Sequence, residues 1–337
     1  MQNSPYRNLW LVFPPIIPIL GALIILEFIS SPNWVLSLYI EAVSDHNKIL
    51  FIEDGLGLLP HMGGMLIYSI VTYFHFFICL GCVIYCWVRI REAREFSKKP
   101  VASTVCMMIL LVVGALTGLS GSGLAVYQLT FFNFSTLLCH SPALNNLCEP
   151  YLWGVSKLAL LVCIPAISGI VAVLSASGVA IVAVSDIPEE NEATWRQLFS
   201  QRVHNLQECF YVLSVVLVTS TLSAAIFFHL PIELIEQKNA VRETLGVYTK
   251  GLSMFWGGIY TLTLMAVFLV PALLLWHRAR VYAHKFHAVD SSKQFRDWLS
   301  TQELAITTNR HIGNFTALLA PLMVSMISSA TQYASVG

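Results

Sequence analysis

Charge is what this sequence has least of. Asp, Glu, Lys and Arg make up 11% of its 337 residues, against roughly 25% in a soluble domain, so water is not the solvent for most of its surface. The charges cancel, 19 Lys plus Arg against 19 Asp plus Glu, and a chain without net charge has no basic field to hold nucleic acid. No HExxH, no paired CxxC and no glycine loop running into Lys-Ser or Lys-Thr occurs. ATP-driven transport by this chain alone and zinc hydrolysis therefore have no motif, and no cofactor or metal is implied. Internal repeats, Ser/Gly linkers and low-complexity blocks are also missing, which points to a single membrane domain over residues 1–337.

What the chain has instead is apolar length: 56% of its residues are hydrophobic. The organising stretch runs from His61 to Pro100. Residues 62–88 hold no Asp, Glu, Lys or Arg, and they exceed the ~20 residues that cross a hydrocarbon core. Trp87 and then Arg89, Arg91, Arg94, Lys98 and Lys99 follow. An apolar run that ends in an aromatic residue and a cluster of cations is a membrane helix leaving on the cytoplasmic side.

Apolar runs predict an all-α, polytopic transmembrane bundle of six or seven spans, at residues 9–28, 62–88, 101–127, 153–184, 209–230 and 252–276, with 312–330 as the seventh. The tail is uncharged but interrupted by Asn314 and Pro321, so a re-entrant piece or a helix between subunits are its alternatives. The first run contains Pro14, Pro15 and Pro18 with no small-residue cleavage site after it, and reads as a retained first helix. Ser185, Pro188, Glu189 and Glu190 make a helix start. Trp195, Leu198, Phe199, Val203, Leu206 and Phe210 then follow at helical spacing. The fifth and sixth spans should therefore form a hairpin continuing past the bilayer through 185–208 and 277–311, and Phe295, Trp298, Leu299 and Ile306 should share one face of a later amphipathic piece. With the amino terminus inside, cytoplasmic segments hold 14 of the 19 Lys plus Arg, outer loops hold Lys48, Lys238, Arg242 and Lys250, and Lys157 lies at the outer end of span four. This bias predicts a multi-pass protein of the cell (inner) membrane.

Few residues here are equipped for chemistry. His75 falls midway along span two, where an ionisable side chain is a functional candidate by default; its plain alternative is a neutral imidazole bonded to a neighbouring carbonyl. A haem site would need a second histidine at the same depth, and His61 and His229 lie nearer the outer face. Glu27, near the outer end of span one, would line an ion path, pair with Lys157, or reach the headgroups. Gly118-Leu119-Ser120-Gly121 is similar to the serine string of rhomboid-type intramembrane proteases. However, the later spans offer no histidine in a small-residue motif to serve as base. Gly114, Gly118 and Ser122 read better as a packing ridge, as do Ser168, Ala172, Ala176 and Ala180 on span four, each ridge set against the other or against a second copy.

Cys139 and Cys148, the two cysteines assigned outside, are expected to form a disulfide. Cys79, Cys82 and Cys86 on one face of span two read as small packing residues. On the cytoplasmic hairpin, Arg196 and Arg202 from one arm face Arg278, Arg280, His284, Lys285 and His287 from the other. That cluster suits an anionic ligand or a partner's acidic surface, or only the headgroups of the lipid bilayer. By elimination the expected function is not enzymatic. It is an oligomeric, channel-like pore, gated at the basic hairpin, with a bacterial stress or defence effector as one setting. The alternatives are a secondary or proton-coupled transporter using His75 and Glu27, an intramembrane enzyme or haem protein, and a scaffold for a partner subunit.

Overall fold

A computed structural model describes residues 13–30, 59–94, 138–139, 148–152, 155–185, 192–233, 240–287, 289, 291–301 and 316–328. In chain order these form α1 (Ile16–Ser30), α2 (Leu59–Arg94), a small antiparallel pair β1 (Pro150–Leu152) and β2 (Val155–Ser156), α3 (Lys157–Ala183), α4 (Glu192–Glu233), α5 (Ala240–His287), α6 (Ser292–Thr301) and α7 (Thr316–Ser328). Helices α2, α3 and α4 pack on one another, α5 lies along α4, and α1 rests on α5. Large apolar side chains such as Leu66, Ile70, Phe74, Leu262 and Leu273 face outward, as they do where lipid is the solvent. The chain is a helical membrane bundle.

The count of six or seven spans is corrected by the helix lengths. Among the described residues four helices, α2 to α5, are long and apolar enough to cross a membrane. An apolar run is not the same as a helix: Pro14 and Pro15 hold off the start of α1 until Ile16, which leaves 15 residues, short of the ~20 a span needs. Pro18 sits in the first turn, where its missing N–H costs nothing. Among the described residues the tail forms the short apolar helix α7, which packs on the bundle along one side while Met323, Met326 and Ile327 face outward. Ser214 Oγ donates to Ala317 O at 2.6 Å, and Ser325 is buried against Gly257, where a Cβ would collide with the Ser325 hydroxyl. The expected third span, 101–127, lies outside the described residues.

Helix α4 has 42 residues and α5 has 48. At ~1.5 Å per residue these are roughly 63 and 72 Å long, about twice a ~30 Å hydrocarbon core. Beyond the bilayer they are joined by aromatic rings: Trp195 stacks on Tyr282 with centroids 3.8 Å apart, and Phe199 stacks on Trp195. Helix α6 closes the cluster with Phe295 buried and Trp298 beside it. A capping box starts α6, in which Gln294 N donates to Ser291 Oγ and Ser291 N to Gln294 Oε1. Ile306 and residues 186–191 lie outside the described residues. At the opposite end Cys139 and Cys148 form the expected disulfide, beside a core of Tyr68, Leu158, Phe227 and Leu230.

Candidate functional site

Helix α2 has one buried stripe, Tyr68, Thr72, His75, Cys79, Cys82, Cys86 and Ile90, at separations of three or four residues that keep them on one face. The half toward the disulfide end carries hydroxyls and an imidazole, and the half toward the basic end carries thiols. Facing it are α3, broken in its hydrogen bonding by Pro165, and α4, with Thr219, Ser220 and Ser223.

Proline at 165 has no N–H for the Leu161 carbonyl one turn earlier. Tyr68 Oη donates to that carbonyl at 3.5 Å. The carbonyl of Pro165 itself lies 3.2 Å from His75 Nε2 and also accepts from Ser168 Oγ at 3.1 Å. In hydrocarbon a carbonyl without a partner is costly, so side chains of the neighbouring helix complete the ladder. His75 is 1% exposed. Its Nδ1 lies 2.9 Å from Thr219 Oγ1, and its Nε2 lies 3.5 Å from Ser220 Oγ and 3.3 Å from Cys79 Sγ. Gly169 lies against the site, where a Cβ would sit in ordinary contact with His75 Nε2 and Ser220 Oγ, 3.6 Å from each.

Thr219 sets what the imidazole can do. Its oxygen is 3.0 and 2.9 Å from the carbonyls of Val215 and Val216 as well as 2.9 Å from His75 Nδ1, and a hydroxyl has one proton to give. Given to Nδ1, that proton leaves a neutral ring with its own hydrogen on Nε2, directed at Pro165 O. Given to a backbone carbonyl, it leaves the oxygen free to accept from Nδ1, as it would from a ring with hydrogen on both nitrogens. One rotation of one hydroxyl thus satisfies either protonation state of His75 in place.

Below His75 the thiols form a chain. Cys82 Sγ is 4.0 Å from Cys86 Sγ, which is 3.9 Å from Cys209 Sγ on α4. All are buried with Ala172 and Ala176 of α3, so those two ridge residues face α2 and α4 of the same chain. Among the described residues no group of three or more His, Cys, Asp or Glu side chains is gathered in a way that could hold a metal ion.

At the basic end two residues of the expected cluster meet at one backbone carbonyl. Arg202 and Arg278, one from each arm, both donate through Nη1 to the carbonyl of Ser185, Arg278 at 2.8 Å. Ser185 follows the last turn of α3, where carbonyls lack intrahelical donors and the helix dipole favours a cation. Arg196, Arg280, His284 and Lys285 are exposed; Arg280 lies over the Trp276 ring and Lys285 over that of Phe286. His287 Nε2 lies 3.3 Å from Glu192 Oε1 across the arms. A network not anticipated from the sequence sits where α2 and α4 leave the bilayer: Glu208 accepts from Tyr85 Oη at 2.6 Å and Arg89 Nη2 at 2.7 Å, with His204 Nε2 at 3.0 Å.

The remaining candidates are scattered. His229 lies beside Glu233 at the disulfide end, ten residues of α4 beyond Thr219 and so roughly 15 Å along it, not at the depth of His75. Glu27 is in α1, with its side chain outside the described residues, as are Gly114, Gly118, Ser120 and Ser122. Pro165, Thr219 and Ser220 complete the His75 site; a proline inside a span and the run Thr219-Ser220-Thr221 were its only traces in the sequence. Comparison of the chain with protein-family descriptions, with curated proteins and with solved structures gives no match, so function rests on this geometry alone.

Proposed function

We propose that this chain is a secondary transporter coupled to protons, with His75 as the proton-carrying group. One observation carries the reading: His75 is buried where three membrane helices meet, bonded at both ring nitrogens, and its Thr219 partner accommodates both protonation states. Intramembrane ionisable groups mark proton relays, and His75 faces the turn of α3 where Pro165 removes one backbone hydrogen bond from an otherwise continuous helix. Glu27 is a second candidate carrier, and the distribution of Lys and Arg orients the basic ends toward the cell interior. The gated oligomeric pore has less support, because Arg202 and Arg278 of its supposed ligand cluster are bonded to Ser185.

The test uses proteoliposomes with an entrapped pH dye, supplied in turn with inorganic cations, amino acids and sugars under an imposed proton gradient. Wild type changes the lumenal pH with at least one of them, and His75→Ala with none. Proton movement by His75→Ala at the wild-type rate overturns the assignment of His75. Large, cargo-independent currents in a planar bilayer would favour the pore.

A further inference from the structure

Four of the five free cysteines among the described residues are buried in one patch, Cys79, Cys82, Cys86 and Cys209, and only Cys163 is exposed. Small apolar packing asks for volume, not for sulfurs in contact across two helices. Here Cys86 Sγ is 3.9 Å from Cys209 Sγ and 4.0 Å from Cys82 Sγ, while Cys79 Sγ is 3.3 Å from His75 Nε2. Sulfurs 3.9 Å apart are near enough for one soft ion to touch both once the side chains open toward the near-linear arrangement that a two-coordinate ion of this class prefers.

We propose that the sulfurs of Cys86 and Cys209 bind a soft monovalent cation of the Cu(I)/Ag(I) class. On the reading of the chain as a transporter, such a cation is its cargo, with the Cys82–Cys86 and Cys79–His75 pairs as further stations along α2. Thiolate sulfur selects soft metals, and a two-coordinate ion needs no third ligand, in keeping with the lack of any larger donor group among the described residues. Charge selects the valence. One thiolate and one thiol around a monovalent ion make a neutral site, which a low-dielectric interior tolerates, whereas a divalent ion would need both thiols ionised. Binding is then balanced as one cation in and one thiol proton out. The three pairs extend from Cys86 to His75, eleven residues or roughly 16 Å of helix, and end on the group proposed to carry the proton the other way.

The experiment uses the full chain in detergent, fully reduced apart from its disulfide, with Cys106 and Cys163 changed to Ser to remove other free thiols. Silver nitrate is the probe, read by retained silver after desalting and by proton release in weak buffer. One tightly held silver or more per chain is expected, with about one proton released for each, and no zinc retained under the same conditions. Cys86→Ala and Cys209→Ala, apolar changes of similar size checked by thermal melting, should each weaken silver binding at least tenfold. Silver retention in both variants undiminished from that of the unchanged cysteines, or release of no protons on binding to the unchanged cysteines, overturns the site. Silver binding without any proton-coupled uptake would preserve the site and refute the transporter; uptake of another solute by Cys86→Ala at the full rate would preserve the transporter and refute the cargo.

Discussion

Helix α2 holds two sets of ionisable groups, His75 and, fourteen residues on, Arg89, roughly 21 Å apart along the helix. They are satisfied in different ways. Around His75 every partner is a backbone carbonyl, a hydroxyl or a thiol, and the ring is buried. Around Arg89 the partners are themselves charged or phenolic: Glu92, Glu208 and Tyr85, with the Arg89 side chain 24% exposed and that of Glu208 36%. Depth explains the contrast. Near the interface, water and headgroups solvate charge, so an ion pair forms with little desolvation and contributes little. Within the hydrocarbon a permanent charge is expensive, and what persists is a neutral network able to take up one charge at a time. The two sets should therefore respond oppositely to substitution, with the deep set governing function and the shallow set only stability.

The largest effect is expected at the deep set. His75→Ala should abolish proton movement in dye-loaded proteoliposomes, and Thr219→Val, which removes the switching hydroxyl but keeps the shape, should slow it at least tenfold while the melting temperature in detergent changes little. A Thr219→Val protein with wild-type proton flux would break the contrast between the sets. Next comes a purely steric change. Gly257→Leu drives a side chain into Ser325 and the Pro321 carbonyl and should cost about 1–3 kcal/mol, seen as a lower melting temperature and protease access to the tail around α7. Third, losing Arg202 and Arg278 together strips both donors from the Ser185 carbonyl. A loss of about 1–2 kcal/mol is expected, with proton flux retained. Glu208→Gln, which removes the partly exposed carboxylate charge facing Arg89 and His204, should cost about 0.2–1 kcal/mol, and less at high salt than at low. Smallest, Arg280→Ala at an exposed position should stay within about 0.5 kcal/mol in the same melting assay.

Parts of this architecture were readable in the sequence and parts were not. The stripe on α2 was visible because a charge-free run of that length must be a membrane helix, and His75 stood out as the one ionisable residue at its middle. The disulfide was readable because Cys139 and Cys148 share a short segment without Lys or Arg. Thr219 was not readable. Thr221 two residues on, like Ser175 and Ser177 on α3, donates to its own helix carbonyl, and nothing in a single chain tells a hydroxyl that also faces a histidine from one that does not. The span count overshot because hydropathy does not see where a helix starts or how long it runs: Pro14 and Pro15 shorten α1, and α7 is 13 residues, Thr316–Ser328. The basic hairpin was legible only in outline for a related reason. A count of arginines locates the end of a bundle, not the direction of each guanidinium, and Arg202 and Arg278 turn inward to the end of α3.

The central claim is that His75 gains and loses a proton while the bundle stays folded. Its most direct test is nitrogen-15 NMR of histidine-labelled protein in lipid, with the His75 signals assigned by their loss in His75→Ala. Across the pH range in which the helices remain intact, the account predicts two interconverting states, one with hydrogen on Nε2 alone and one with hydrogen on both ring nitrogens. A ring that keeps a single neutral form throughout would contradict it.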